Sequence, residues 1–159
     1  MRNSTVVLLC LVLAGFTPAS ARAQFKAPGP VIFELATDKL SPLSDDVLKA
    51  ARDYLVAKPD ITLMRIEGHT DGNGNASDSQ ALSEKRAMAV TRWLVGAGVD
   101  CHRLIAVGFG GSKPVAANDT PENRAANVRI AFIPAALRGR AIGGMPVDAG
   151  GQVAGDSCQ

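Results

Sequence analysis

Ile61-Thr62-Leu63-Met64-Arg65-Ile66-Glu67-Gly68-His69-Thr70-Asp71 is the stretch from which the rest of the chain can be read. Met64 and Ile66 fall on one side of an extended segment and Arg65 and Glu67 on the other, which predicts a strand over 61–67 with one apolar face. The polar run Gly72-Asn73-Gly74-Asn75-Ala76-Ser77 then reads as a flexible loop. Apolar residues at helical spacing predict a long helix from Ser79 to Ala97, ended by Gly98. Upstream, Leu43, Val47, Leu48, Ala51, Tyr54 and Leu55 recur with the same period. They predict a helix over 42–57, opened by Ser41 as cap with Pro42 in the first turn and stopped by Lys58-Pro59-Asp60. Helix, short link and strand in this order form a βαβ unit.

Three more strands are expected: 31–35, 104–109 and 128–133. Residues 110–126 read as a polar loop with a helical turn near Pro121, and 24–30 as a proline-containing lead-in. Beyond Pro134 the chain turns Gly/Ala-rich and aperiodic, so 135–159 is expected to be a tail. The fold class that follows is α/β (α+β), a βαβαβ(β) sandwich over residues 31–134. Its mixed sheet carries helices on one face, and the polar strand residues face solvent on the other.

The first 23 residues have the layout of a secretory leader. Arg2 precedes an apolar run of 11 residues, Val6–Phe16, too short to span a bilayer as a helix. Ala21-Arg22-Ala23 offers a small-x-small cleavage site, and Ala19-Ser20-Ala21 a second. Cys10 lies inside the apolar run after Leu9, which does not suit a lipidation site. A soluble exported protein without a direct membrane anchor is expected. Of 17 basic residues, Arg2 and Arg22 would leave with the leader, so 15 face 15 acidic ones in the processed chain. That balance argues against nucleic acid, which needs clustered cationic excess. One Trp and one Tyr make stacking platforms scarce. Cys101 and Cys158 outlast processing, and an even count in an exported chain reads as one disulfide, worth ~4 kcal/mol by loop entropy.

Arg86 is the position that does not fit. At 100° per residue, Leu82, Ala89, Val90, Trp93, Leu94 and Ala97 share an apolar stripe, and Arg86 lands in its middle. A guanidinium there needs an anion, because burying it unpaired is costly. Asp71, at the entrance to the loop leading into this helix, is its natural companion. One reading makes the two a structural pair that holds the 68–76 loop. The other makes them a clamp for a zwitterion, with Asp71 on an ammonium and Arg86 on a carboxylate.

These residues resemble the OmpA-like peptidoglycan-binding domain family. The matching pieces are Phe33 with Leu40-Ser41-Pro42, then Ile66-Glu67-Gly68-His69-Thr70-Asp71, then Leu82-Ser83-Glu84-Lys85-Arg86-Ala87. Val107-Gly108-Phe109-Gly110 with Pro114, and Asn127-Val128-Arg129-Ile130, complete the order. The resemblance implies non-covalent binding of peptidoglycan through a diaminopimelate-type stem peptide, gripped at its two ends by Asp71 and Arg86. It also implies that Thr70, Leu82, Asn127 and Arg124 line or support that site. The expected destination is the periplasm, associated with the cell wall or outer membrane and contributing to envelope organisation. Two places depart from the family pattern: Ser79 stands where Asn is usual, and Val128 replaces the first of two arginines. Val128 shares a face with Ile130 and Phe132 and is expected to improve packing.

Those departures feed an alternative, a periplasmic adaptor of an envelope complex with weak or no wall binding. Glu67, His69 and Asp71 would share one side of an extended strand and suggest acid–base or metal chemistry, as in a peptidoglycan hydrolase. With no nucleophile elbow or His-x-x-Glu-His spacing, the expectation is a binding protein with no enzyme activity, cofactor or metal.

Overall fold

The strand at residues 61–69 is the central strand of the sheet. In the computed structural model, which describes residues 25–159, β1 (Ile61–His69) pairs in parallel with β2 (Leu104–Gly108) and antiparallel with β3 (Arg129–Leu137). The short β4 (Arg140–Ala141) extends the sheet beyond β3, and β5 (Gln152–Val153) extends it beyond β2. The order is β4-β3-β1-β2-β5, a mixed sheet. The expected leader lies outside the described residues. Among those described, no helix is long and apolar enough to cross a membrane.

α1 (Asp45–Ala57) follows a single 3-10 turn, Pro42–Ser44, whose cap is Ser41 accepting from the Leu43 N–H. α2 (Ala76–Gly96) begins three residues earlier than its apolar spacing predicts, because Asn75 caps it by accepting from the Ser77 N–H. Both helices pack on the face presented by Met64, Ile66 and Ala106. Leu48 and Leu55 of α1 and Val90 and Leu94 of α2 are sealed there with Phe132. Each large side chain so buried contributes ~1.5–3 kcal/mol. The buried edge of α2 runs through Ser83, Ala87, Val90, Thr91 and Leu94, while Leu82, Ala89, Trp93 and Ala97 are only partly covered. The stripe is thus rotated from the expected one, toward small residues. Gly68 and Gly108 explain why: a Cβ at Gly68 would collide with the Ser83 carbonyl, and one at Gly108 with Ser83 and Glu84. Two strand glycines facing a serine let α2 lie close on the sheet.

Two expectations need correction. Residues 31–35 do not join the sheet; their one ladder contact is an isolated bridge, Phe33 to Leu40. The backbone of Ile32 is already occupied, its N–H donating to Ser44 Oγ (2.8 Å) and its carbonyl accepting from Ser44 Oγ and the Ser41 N–H. A strand partner would have to displace all three bonds. The polar strand face is also not open to water. β3 runs through Pro134 to Leu137, turns at Arg138 and Gly139, both with positive φ, and returns as β4. The chain then crosses the sheet on the side away from the helices. Arg65 Nη1 donates to the Val147 carbonyl (2.8 Å) and Lys113 Nζ to that of Ala149 (3.0 Å). Gly151 lies on Val107 and Phe109, where a side chain would clash. β5 follows, and a disulfide joins Cys158 to Cys101.

Candidate binding groove

Close packing at the end of β1 shapes the site. Pairing continues past the strand through Phe109 N–H to the Gly68 carbonyl and Thr70 N–H to that of Gly110. Gly72, at φ 69°, then crosses Gly111 so closely that neither tolerates a larger residue without moving the other. The chain leaves the sheet sharply, and Asp71 is delivered beside the start of α2. A depression of about 500 Å³ opens there, bounded by Leu35 and Ala36, by Thr70 and Asp71, by the first turns of α2, and by Val128.

Of the six expected ligand-binding residues, Asp71, Arg86, Thr70 and Leu82 line this groove. Asp71 takes two bonds from Asn73, backbone N–H to Oδ1 (3.3 Å) and Nδ2 to Oδ2 (3.2 Å). Arg86 is 8% exposed. Its Nε donates to the Thr37 carbonyl (2.8 Å), and its guanidinium carbon lies 5.0 Å from the Phe33 ring centre. The terminal Nη groups make no hydrogen bond among the described residues. Burial pushes the guanidinium pKa down, and the charges of Asp38 and Asp71 partly restore it. No ion pair joins Arg86 to Asp71 among the described residues, so the pair does not neutralise itself by contact. The buried Thr70 hydroxyl likewise has no hydrogen-bond partner among the described residues.

Asn127 and Arg124 stand one step back from the groove. Asn127 is fully buried; its Oδ1 accepts from the Val115 and Ala116 N–H groups, and its Nδ2 donates to the Ala116 carbonyl and Asn118 Oδ1. Arg124 Nη1 donates to the Asn118 carbonyl. Asn118 Nδ2 in turn donates to the main-chain carbonyl of Asp71. α3 (Pro121–Asn127) thereby holds the 113–118 loop against the turn that carries Asp71. Asn118 had no signal in the sequence, and neither did Thr37, which acts through a backbone carbonyl that any residue could supply. The two departures from the family pattern, Ser79 and Val128, both line the groove. Val128 precedes β3 and is 40% exposed, so it lies at the rim and adds nothing to the core, contrary to the packing role expected of it.

Glu67 and His69 do not join Asp71. β1 ends at His69, and both side chains lie on the tail-covered face. Glu67 accepts from Arg65 Nε (2.6 Å) and bonds His69 Nε2 (3.2 Å), while the His69 ring stacks on Phe109 with centres 5.2 Å apart. Burial pushes the Glu67 carboxyl up, but bonds from His69 and Arg65 outweigh it and hold it below its ordinary value. Arg129 is pushed down by burial and partly restored by the charge of Glu67. The Glu67 carboxylate is thus occupied at both oxygens, and of this network only the buried His69 Nδ1 is without a hydrogen-bond partner among the described residues. Cys101, His102 and Cys158 also cluster, but the disulfide occupies both sulfurs.

Comparison with known proteins gives a consistent set of relatives. The model of the OmpA family matches residues 32–128. The outer-membrane lipoprotein YfiB of Pseudomonas aeruginosa is 38% identical over 120 residues, covering 75% of this chain and 70% of YfiB. The peptidoglycan-binding protein ArfA of Mycobacterium tuberculosis is 36% identical over 105 residues, 66% of this chain but only 32% of ArfA. Among solved structures, the peptidoglycan-associated lipoprotein from Burkholderia pseudomallei superposes with a TM-score of 0.61 at 30% identity, covering 68% of this chain and 89% of that one.

Proposed function

Because this chain belongs to the OmpA family, we propose that it binds peptidoglycan non-covalently in the periplasm, through the diaminopimelate-type stem peptide. The observation that carries this reading is the arrangement of Asp71 and Arg86. They line one groove, opposite in charge, and neither spends its charge on the other. Asp71 receives the ligand's ammonium, and the Nη groups of Arg86 donate to its carboxyl end. Leu82 supports the aliphatic link between the two ends, and the Thr70 hydroxyl, without a partner among the described residues, supplies a further polar contact. Asn127 and Arg124 act through Asn118 to keep the Asp71 turn in place. Support also comes from relatives whose names record peptidoglycan association. Contact with the cell wall and outer membrane, and a part in envelope organisation, follow from this reading.

The test is retention on insoluble sacculi. Wild type should sediment with them, whereas Asp71→Ala and Arg86→Ala should stay in solution. Equal retention of all three would remove the groove assignment. No retention of wild type would favour the adaptor reading, which the departures at Ser79 and Val128 within the groove already motivate.

A further inference from the structure

The groove is not balanced in charge. Of the ionisable side chains that line it among the described residues, Asp71 and Asp78 are acidic and Arg86 alone is basic, so two negative charges against one positive leave a formal −1. Asp38, next to the residue whose carbonyl holds Arg86, adds its own negative field at the guanidinium. Arg86 is also partly committed, with Nε bonded to Thr37 and its plane against Phe33. The other polar side chains lining it, Thr70, Asn73, Asn75 and Ser79, are neutral, and the exposed rim at Leu35 (96%) and Val128 (40%) is apolar, so nothing there offsets the acidic excess.

Two forms of the same ligand side chain would meet this groove differently. With a free carboxylate the side chain is a zwitterion of no net charge. Its anionic end must then approach a cation flanked by Asp38 and Asp71, with no second cation at position 128 to help. With a carboxamide the side chain keeps only its ammonium and carries +1, the complement of the groove. The amide oxygen still accepts from the Arg86 Nη groups, and its NH₂ can donate to an aspartate, which a carboxylate cannot do. Complementarity of charge sets selectivity more than gross affinity.

We propose that the groove selects stem peptides whose diaminopimelate-type side chain ends in a carboxamide over those ending in a free carboxylate, with Asp78 and Val128 as the specificity-determining positions. This rests on the peptidoglycan reading above.

The experiment is a calorimetric titration of the purified protein with two synthetic stem tripeptides, identical except for carboxamide or carboxylate at that side chain. Wild type should bind the carboxamide form roughly fivefold tighter at low salt, about the effect of one uncompensated charge near a solvated site, and the gap should narrow as salt is added. Asp78→Asn should shrink the preference, and Val128→Arg should reverse it by supplying the second cation. Equal or tighter binding of the carboxylate form by wild type would overturn this inference and leave the wall-binding reading standing. Binding of neither peptide would overturn both.

Discussion

The two faces of the sheet each hold buried charge, and they handle it in opposite ways. On the tail-covered face, Glu67 accepts from Arg65 and bonds His69, and the tail closes over them. At the groove, Arg86 is as well buried as Glu67, yet its only hydrogen bond among the described residues is to a backbone carbonyl. A network whose carboxylate is bonded at both oxygens and whose one unbonded atom among the described residues, His69 Nδ1, is sealed inside has little to offer a ligand. A buried cation with spare donors beside a depression does. Within one small domain this contrast separates charges that hold the fold from charges available for work.

The comparison can be broken from either side, and the largest effect should come from uncovering the closed face. Serine at both Cys101 and Cys158 frees a bridge spanning 57 residues of sequence. Loop entropy then predicts a loss of ~4 kcal/mol in chemical denaturation, an upper estimate if the released tail stays docked. Hydrogen exchange should show Ala154, which donates to the Ala106 carbonyl, losing protection first.

Next comes the seam between the sheet and α2. Gly68→Ala drives a methyl into the Ser83 backbone and should cost about 3 kcal/mol, since neither partner is a flexible side-chain end. Because the same contact seats the start of α2, this variant should also weaken ligand binding at temperatures where it is still folded.

Glu67→Gln probes the network itself and should destabilise by about 2 kcal/mol at neutral pH, leaving Arg65 and Arg129 without their counter-charge. Its pH dependence has a definite sign. The Glu67 carboxyl is held below its ordinary value of 4.5 when folded, so its contribution is complete above that pH and is lost as pH falls through the lower folded value. The gap in Tm between wild type and Glu67→Gln should therefore be steady at neutral pH and shrink on acidification below about 4.5. A gap that widens there would show that the carboxylate is not held in its charged form by the fold.

The smallest effect on stability belongs to the groove. Arg86→Gln should shift unfolding by less than about 1 kcal/mol, because burial already opposes the charge it removes and no ion pair among the described residues is broken. Binding should be the property that suffers.

How much of this was legible in the sequence follows from which interactions are local. Caps, helix periods and the alternation in β1 act over a few residues, and Ser41, α1, α2 and β1 fall close to where spacing places them. Arg86 stood out for the same reason, as a charge on a periodic apolar stripe. What escaped depends on contacts far apart in sequence. The stripe of α2 was read a partial turn away from its true centre because Ser83 looks polar until Gly68 and Gly108 are seen beneath it. Val31–Leu35 has the composition of a strand, but Ser44 and Ser41 occupy the backbone of Ile32. The segment after Pro134 has no apolar period, because it is held by backbone carbonyls, glycine contacts and a disulfide, and none of these writes a period. The same limit hid Asn118 and Thr37, whose roles run through main-chain oxygens.

The central claim, that the groove binds ligand while the covered face only holds the fold, is tested most directly by titrating one synthetic stem tripeptide against three folded proteins. These are wild type, Arg86→Gln and Glu67→Gln, compared at a temperature well below all three transitions. The account predicts that Glu67→Gln binds like wild type despite its lower stability, and that Arg86→Gln loses at least about tenfold in affinity at nearly unchanged stability, as expected when a charge-assisted hydrogen bond is removed. Undiminished binding by Arg86→Gln, or loss confined to Glu67→Gln, would contradict it.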